Sequence, residues 1–274
     1  MRPKVTIVTP SYNQGAFLEN TILSVLNQDY PNIEYIIIDG GSTDGSVDII
    51  EKYQERLAYW VSEKDNGQAH AINKGFKLAT GQIFNWLCAD DLLMPSAIKL
   101  VVHYLTCKPN IGMVYGDRVI VDKKGNFLGL TQVPSYSAKA LHYHLRIPQE
   151  TAFFRSKYWL EAGGVDEELE YCMDYDFFFR LSKLTQFYHI PFVLGAYRKH
   201  QSSKTVVYSN RLRKSGKEEM AKVYFHHHSK NRSETAKRFY KKFNKLRLYI
   251  EKKSKSYKRE VAGITGLISR EQKK

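Results

Sequence analysis

The chain has 274 residues, 43% of them hydrophobic, which is enough for one large domain or two small ones. No segment approaches the roughly 18 apolar residues of a membrane-spanning helix, and we expect no signal region after Met1-Arg2-Pro3-Lys4. Its three scattered cysteines exclude a disulfide framework and a zinc site, and predict a reducing, cytoplasmic setting.

The net charge of +14 is confined to the last quarter of the chain. Residues 1–204 carry 21 Lys+Arg and 22 Asp+Glu, whereas residues 205–274 carry 21 and 6. We therefore predict a catalytic or binding domain over 1–204 and a basic helical tail over 205–274. In the tail, apolar residues follow i, i+4, i+7, i+11 spacing: Phe239, Phe243, Leu246 and Ile250.

This tail pattern favours a cationic amphipathic helix on an anionic membrane. The alternative is a helix that docks on the first domain with its charges in solvent. Nucleic acid is a third option, and we do not favour it because no recognition motif accompanies the charge. The consecutive histidines 226–228 do not predict a metal site, because neighbouring helix positions point about 100° apart.

The first half of the chain alternates strands with helices. Helix periodicity is carried by Leu18, Ile22, Val25 and Leu26, then by Val47, Ile50 and Leu57, then by residues 69–79 with Gly81 as the C-terminal stop. The predicted strands are 4–9, 33–38, 59–62 and 83–88. Such alternation predicts right-handed crossovers and an α/β fold with a mostly parallel central sheet flanked by helices.

Polar residues follow each of these strands: Asn13, Asp39, Asp65 and Asp90-Asp91. The carboxyl ends of parallel strands meet at one edge, where open α/β sheets bind ligands. The chain has neither a G-x-G-x-x-G after its first strand nor a G-x-x-x-x-G-K-[ST] loop, so phosphate must be held by a metal and by side chains. Adjacent carboxylates attract a hard divalent cation. The alternative is that Asp90-Asp91 caps a helix.

The second half of the sequence predicts short strands and short helices. Extended segments are expected at 113–117, 118–121, 127–130 (after a turn at 122–126), 149–154, 187–190 and 193–198. Helices are expected at 137–144, from a Ser156 cap to Gly163-Gly164, and from Met173 onward with Asp174 and Asp176 in the first turn.

Seven segments occur in a characteristic order: TPSYNQ at 9–14, IDGGSTDGS at 38–46, SEKDNGQ at 62–68, ADD at 89–91, GGVDE at 163–167, MDYDFFFRL at 173–181 and YRKH at 197–200. Together they resemble the inverting family 2 glycosyltransferases with the GT-A fold (Rossmann-like), in the branch that builds bacterial surface polysaccharides. The resemblance covers roughly residues 3–204. It implies a hexosyl- or N-acetylhexosaminyltransferase that uses a nucleotide-diphosphate sugar, UDP-linked in our prediction, and Mn²⁺ or Mg²⁺.

The resemblance also implies a role for individual residues. Asp174 matches the catalytic base, although this chain has Met173 where the family usually has Glu. Asp91 matches the metal ligand, and His200 a histidine near the diphosphate, so both are predicted at the metal. The predicted nucleotide contacts are Pro10, Tyr12, Asn13, Asp39, Asp65 and Asp90, and the predicted donor or acceptor contacts are Asp117, Gln149 and Glu150.

Several of these positions have a structural alternative: Asp39 as a helix cap, Asp65 as part of a turn, and Asp117 as a framework residue. Asp176 is the rival base, but residues two apart on a helix do not face the same way. One base without a nucleophile predicts a single displacement with inversion. The acceptor is expected to be a saccharide or lipid-linked, which favours a peripheral place at the inner face of the cell membrane. A non-catalytic nucleotide-sugar-binding or nucleic-acid-associated protein, and a nucleotidyltransferase, are the alternatives.

Overall fold

The computed structural model describes residues 2–133, 147–204, 206, 219, 222 and 223. The helix predicted at 137–144, the amphipathic segment at 239–250 and the histidines 226–228 lie outside these residues. The chain divides into two compact units, Met1–Met220 and Ala221–Lys274. The following description concerns the first unit. Within the described residues, no helix combines the length and the apolar character needed to cross a bilayer.

The first unit is built on one mixed sheet. Four strands run parallel in the order β3-β2-β1-β4, and β8, β6, β9 and β5 continue the sheet, with β7 paired to β6. β8 is antiparallel to both β4 and β6, β5 is antiparallel to β9, and β6 and β9 are parallel. The strands are β1 Val5–Ser11, β2 Ile33–Asp39, β3 Tyr59–Ser62, β4 Ile83–Trp86, β5 Leu92–Leu93, β6 Ile111–Val121, β7 Phe127–Thr131, β8 Phe153–Arg155 and β9 Gln186–Arg198.

Helices cover both faces of the sheet. One buried apolar cluster joins the sheet to α1, α2 and α4, and a second joins it to α3, α5 and α6. The helices are α1 Gly15–Leu26, α2 Ser46–Tyr53, α3 Gln68–Leu78, α4 Ala97–Cys107, α5 Ser156–Ala162 and α6 Met173–Ser182. Burial of β2 on both faces explains its continuous apolar run, as expected for parallel strands between helical layers.

An aromatic cluster fixes α6 against the end of β4. The ring of Trp86 stacks on Phe178 at 5.8 Å and meets Phe177 edge-on at 5.6 Å. Phe154 of β8 and Trp159 of α5 complete this cluster, and all five rings are buried. Aromatic pairs at such spacings add about 0.5–1.5 kcal/mol each beyond their buried area. The cluster therefore determines where the first turn of α6 lies relative to Asp90-Asp91.

The strand–helix alternation of residues 4–88 is confirmed, and the differences lie in boundaries and glycines. Gly81 does not end α3, which stops at Leu78. A Cβ at Gly81 would lie 2.3 Å from Oγ1 of Thr6, so this glycine permits close approach to β1. Leu57 lies beyond α2, after a 3₁₀ turn at Gln54–Arg56.

The second half is more continuous than predicted. The segments 113–117 and 118–121 form the single strand β6, and 187–190 and 193–198 form the single strand β9. Residues 149–154 are not one strand, because a 3₁₀ turn at Gln149–Thr151 precedes β8. Ser156 begins α5 as its first helical residue rather than as its cap, and Gly163 ends it with a positive φ of 78°, as predicted. Helix α4 was not predicted, although its buried residues keep helical spacing.

Candidate active site

The carboxyl ends of β1 to β4 surround a cavity of about 530 Å³, which we call the nucleotide cavity. It lies at the sheet edge where a nucleotide is expected. Its lining residues come from the segments after four strands and from the start of α3: Pro10, Ser11, Tyr12, Gln14, Gly40, Lys64, Asp65, Gly67, Gln68, Ala71, Cys88, Ala89 and Asp90, joined by Ser202, Ser203 and Lys204. Pro10, Tyr12, Asp65 and Asp90 of the predicted nucleotide contacts are among them.

Asp39 does not line this cavity, because its carboxylate is buried and already accepts four hydrogen bonds from the residues around it. The side chain has no exposed surface and accepts hydrogen bonds from the amides of Gly41 (3.1 Å) and Ser42 (2.8 Å). The hydroxyls of Ser42 (2.6 Å) and Ser62 (2.7 Å) also donate to it. Asp39 therefore shapes the loop after β2, which places Gly40 in the cavity wall.

Asn13 joins the loops that follow β1 and β2. Its amide donates to Oγ of Ser42 (2.7 Å), and its Oδ1 accepts from the amide of Thr43 (2.9 Å). It adopts a positive φ of 51°, a left-handed conformation that Asn tolerates better than most residues. Asn13 thus fixes the loop in which Tyr12 lies, with 61% of the Tyr12 surface exposed at the cavity.

The two adjacent carboxylates have different partners. Nε2 of His200 donates to Oδ2 of Asp90 (2.8 Å), and Nδ1 of His200 lies 2.9 Å from the hydroxyl of Ser202. Asp91 is buried, and its Oδ1 accepts from the backbone amide of Arg198 (3.0 Å). The Arg198 guanidinium also donates to the carbonyl oxygen of Asp90 (3.0 Å). The end of β9 therefore holds both residues in place.

Burial, the charge of Asp90 and the charge of Glu150 together raise the pKa of Asp91 well above its ordinary value. This repulsion is the kind that a bound cation relieves. Asp90, Asp91 and Cys88 each offer a ligand atom, and these atoms lie within 4.8 Å of one another. Carboxylate oxygens suit Mn²⁺ and Mg²⁺, so the two aspartates fit such an ion. His200 is less suited to ligation, since both ring nitrogens already have partners.

A second cavity of about 620 Å³, which we call the saccharide cavity, adjoins the first. Both are lined by Gln68, Cys88 and Lys204. Asp91 lines the saccharide cavity and Asp90 the nucleotide cavity, so the pair stands at the junction. The saccharide cavity is further lined by Arg118, Gln149, Glu150, Glu170, Tyr171, Asp174 and Tyr197, among others.

Asp174 and Asp176 face different surroundings. Asp174 lines the saccharide cavity, and burial raises the pKa of its carboxyl while Arg118 opposes the rise. Asp176 is buried and forms an ion pair with Nη2 of Arg180 (2.6 Å). Asp174 accepts one hydrogen bond, from the backbone amide of Tyr175 to Oδ1 (2.8 Å), and among the described residues its carboxylate has no ion pair of the kind that holds Asp176.

Arg118 and Glu150 form a partly satisfied pair in the saccharide cavity. Nη1 of Arg118 lies 3.5 Å from Oε1 of Glu150, an ion pair without a hydrogen bond at that oxygen. Burial raises the pKa of Glu150, which is 2% exposed, while Arg118 opposes the rise. Arg118 also opposes the rise in the pKa of Asp91 and of Asp174, so its charge acts on carboxylates at both ends of the cavity.

The other two predicted donor or acceptor contacts differ in their placement. Gln149 lines the saccharide cavity and donates through Nε2 to the carbonyl oxygen of Trp86 (2.5 Å). Asp117 lines neither cavity; its Oδ1 binds Nε2 of His189 and the amide of Val133, each at 2.8 Å. Asp117 therefore joins β6 to β9 and to the segment that follows β7.

The sequence pattern did not identify Lys64, Gln68, Lys204 or Arg198 as site residues. Lys64 and Gln68 stand in the segment SEKDNGQ, so their place after β3 was the available signal. Arg198 likewise belongs to the segment YRKH. Lys204 had no such signal, because only the folded chain brings it to both cavities.

Comparisons with known proteins agree with this site. A family model described as "Glycosyl transferase family 2" matches residues 6–164. An uncharacterized glycosyltransferase of Rickettsia typhi is 31% identical over 218 residues, 77% of this chain and 68% of that protein. A chondroitin synthase of Escherichia coli is 28% identical over 191 residues, 69% of this chain but only 28% of the synthase.

Two solved structures share the fold at low identity. TarS 1–349 of S. aureus, in complex with UDP-GlcNAc, has a TM-score of 0.63 at 18% identity, over 73% of this chain and 60% of that chain. The mannosyltransferase PcManGT of Pyrobaculum calidifontis, in complex with GDP-Man and Mn²⁺, has a TM-score of 0.57 at 22% identity, over 74% of this chain and 59% of that one. The chain has the GT-A-like α/β fold and belongs to glycosyltransferase family 2.

Proposed function

We propose that this glycosyltransferase moves a sugar from a UDP-sugar to a saccharide or lipid-linked acceptor in one displacement with inversion. The proposal depends on one observation above all: Asp90 and Asp91 stand between two adjoining cavities, and Asp174 lines the second. A donor that spans both cavities would have its diphosphate beside the aspartate pair and its sugar towards Asp174. The domain at 1–204 is then the catalytic part of the chain.

The nucleotide cavity supports recognition of a nucleoside diphosphate. The exposed ring of Tyr12 and the adjacent Pro10 offer an apolar wall to a base, and Asp65 offers acceptors. A Cβ at Gly40 would lie 3.0 Å from Oδ2 of Asp65, so glycine allows these loops to come together. Asp39 acts through the loop it shapes, and Lys204 supplies a positive charge where the cavities meet. TarS binds UDP-GlcNAc in its structure, which supports a UDP-linked donor.

Asp91, aided by Asp90, would hold Mn²⁺ or Mg²⁺. When bound, such an ion neutralises the negative charge that develops on the diphosphate leaving group, worth several kcal/mol. His200 then orients Asp90 through the 2.8 Å hydrogen bond rather than binding the ion. The Mn²⁺ found with the related fold of PcManGT supports a metal-dependent reaction.

Asp174 serves as the general base. Its carboxylate takes the proton from an acceptor hydroxyl, whose oxygen bonds to the anomeric carbon as the bond from that carbon to the diphosphate oxygen breaks. The attack comes from the face opposite the leaving group, so the configuration inverts. Burial raises the pKa of Asp174, which strengthens it as a base. Glu150 and Arg118 provide a buried acceptor and a cationic donor for the hydroxyls of the sugar.

The acceptor and the location are proposed from the chain as a whole. The chondroitin synthase relative supports a role in cell-surface polysaccharide synthesis, with a hexose or N-acetylhexosamine as the sugar. A basic tail at 205–274, with its excess of Lys and Arg, would attach the enzyme to the anionic inner face of the membrane, where lipid-linked acceptors lie. The other possible function is a module that binds nucleotide sugars without transfer.

The test is turnover of a panel of UDP- and GDP-sugars by the purified full-length chain with Mn²⁺, measured as release of the nucleoside diphosphate. We expect one UDP-sugar to be preferred and turnover to stop with EDTA. Calorimetry with UDP and Mn²⁺ runs in parallel. UDP binding without turnover of any donor would instead support the non-catalytic module, and EDTA-insensitive turnover would remove the metal from the proposal.

A further inference from the structure

A distant glutamate holds the segment that leads into α6. The backbone amides of Glu170, Tyr171 and Cys172 all donate to the carboxylate of Glu219, at 3.2, 2.8 and 2.7 Å. The partners are 47 to 49 residues apart in the chain. Cys172 immediately precedes the first residue of α6. One carboxylate therefore fixes three consecutive residues at the entrance to the helix.

Physical chemistry gives this contact a clear effect. Amides at a helix N-terminus have no partner within the helix, and a negative charge there is favourable. Glu219 satisfies one such amide, that of the cap residue Cys172, and two more in the turn before it. Asp174 is the second residue of α6, so the direction of its side chain depends on how the helix begins. Phe177 and Phe178 hold the body of the helix on Trp86, while Glu219 holds its start.

We propose that Glu219 is a positioning residue for transfer: its three amide hydrogen bonds fix the direction in which α6 presents Asp174 to the saccharide cavity. This inference rests on the proposed role of Asp174 as the base. Glu219 itself lines neither the nucleotide cavity nor the saccharide cavity. It lies in the basic region after residue 204, so the inference gives that region a role in catalysis.

The charge of Glu219 adds a second, separable effect on the base. Burial raises the pKa of Asp174, Arg118 of β6 lowers it, and Glu219 raises it. Glu150 acts on the same group from the 3₁₀ turn, and Glu170 and Lys204 are the other charged residues that line the cavity with it. Because the base must be deprotonated, the rate rises with pH through the pKa of Asp174. Removing the charge of Glu219 should therefore move this acidic limb to lower pH.

The experiment compares Glu219→Gln, Glu219→Ala and Glu219→Asp in the full-length chain. The control is Glu168→Gln, which changes an exposed glutamate in the loop that contains residues 170–172. Donor turnover is measured with UDP-sugar and Mn²⁺ from pH 4.5 to 9. Amide hydrogen exchange of the peptide that contains residues 170–175 is measured without substrate. This second measurement does not depend on the reaction.

We expect Glu219→Ala to lower kcat on the order of tenfold, as small misplacements of reacting groups do, with the KM for the donor nearly unchanged. Exchange at residues 170–172 should accelerate in Glu219→Ala, and Glu219→Asp should recover much of both properties. Glu219→Gln keeps the shape of the side chain and should shift the acidic limb of kcat to lower pH. Glu168→Gln should match the wild type in all of these measurements.

Unchanged kcat, pH limb and exchange in the Glu219 variants would overturn the inference. A lower kcat in the Glu219 variants with unchanged exchange at residues 170–172 would also count against it, since the amide hydrogen bonds would then not be what positions Asp174. If Asp174→Asn kept full turnover, the proposed function itself would fail, whatever Glu219 does. If Glu219→Ala does not fold, kcat and the exchange of residues 170–172 in Glu219→Gln and Glu219→Asp decide.

Discussion

The exchange Asp174→Asn tests the proposed base most directly. Asn has nearly the same shape but cannot take a proton, so we expect kcat to fall by roughly 10²–10⁴, about 2.7–5.4 kcal/mol in activation free energy. Binding of UDP with Mn²⁺ should stay within about twofold in calorimetry, because Asp174 lines the saccharide cavity and not the nucleotide cavity. Turnover is measured by release of UDP from the preferred donor.

The same exchange should not reduce stability. Burial raises the pKa of Asp174, so the folded state holds its proton more tightly than the unfolded state does. Such a group costs stability in full at pH values above its folded pKa, and the cost shrinks as the pH falls from that pKa towards the lower unfolded value. The Tm of Asp174→Asn should therefore equal or exceed that of the wild type at pH 8, and the difference should shrink towards pH 5.

Asp176→Asn is the matched control, two residues along the same helix. Asp176 accepts from Nε (2.8 Å) and Nη2 (2.6 Å) of Arg180 and is 5% exposed. Breaking a buried pair from one side costs about 3–5 kcal/mol, and we expect about 3 because the Arg180 side chain keeps 23% of its exposure. That corresponds to a fall in Tm of roughly 6–12 °C. The kcat at 25 °C should change little.

The two variants thus predict opposite patterns: Asp174→Asn loses activity and keeps stability, and Asp176→Asn does the reverse. Turnover by Asp174→Asn within threefold of the wild type would refute the assignment of the base. Loss of turnover in a folded Asp176→Asn protein, with Asp174→Asn active, would move the base to Asp176.

Two further exchanges probe the charges around the junction. Asp91→Asn should abolish Mn²⁺-dependent turnover and weaken Mn²⁺ binding in calorimetry, and an unchanged Mn²⁺ affinity would contradict the ligand assignment. The same exchange should raise the Tm of the metal-free protein more at pH 8 than at pH 5, because burial, Asp90 and Glu150 raise the pKa of Asp91. Arg118→Ala should move the acidic limb of kcat to higher pH, since Arg118 lowers the pKa of Asp174, and a shift to lower pH would show that this account of the cavity's charges is wrong.

The parallel half of the fold was predictable because each of its strands and helices is specified by the sequence pattern of its own residues. Each strand from β1 to β4 is a short apolar run followed by a polar loop, and each helix between them carries its own periodicity. The placement of Asp65 and Asp90 at one cavity follows from parallel order alone. The same local logic failed for Gly81, whose close neighbour is Thr6 on another strand.

The remainder of the site depends on pairs that are far apart in the chain. Arg198 meets Asp91 across a separation of 107 residues, and Glu219 meets Cys172 across 47. Periodicity reports which face of an element is buried, but it does not report which distant side chain will lie against it. The adjacent pair Asp90-Asp91 therefore indicates a cation site from the sequence, but the contacts of His200 with Asp90 and of Arg198 with Asp91 are visible only in the fold.

Apolar packing helps to set the distance between the Asp90-Asp91 pair and Asp174, the proposed base. Trp86 lies two residues before Cys88, and its ring stacks on Phe178, four residues after Asp174. A close-packed ring cluster resists small displacements, since a void or an overlap costs free energy at once. In the proposed mechanism, the aromatic segment FFF of α6 acts as a spacer between Asp174 on the helix and a donor bound beside Asp90-Asp91. In the inference drawn above, Glu219 adds finer positioning through the amides of residues 170–172, which lead into that helix.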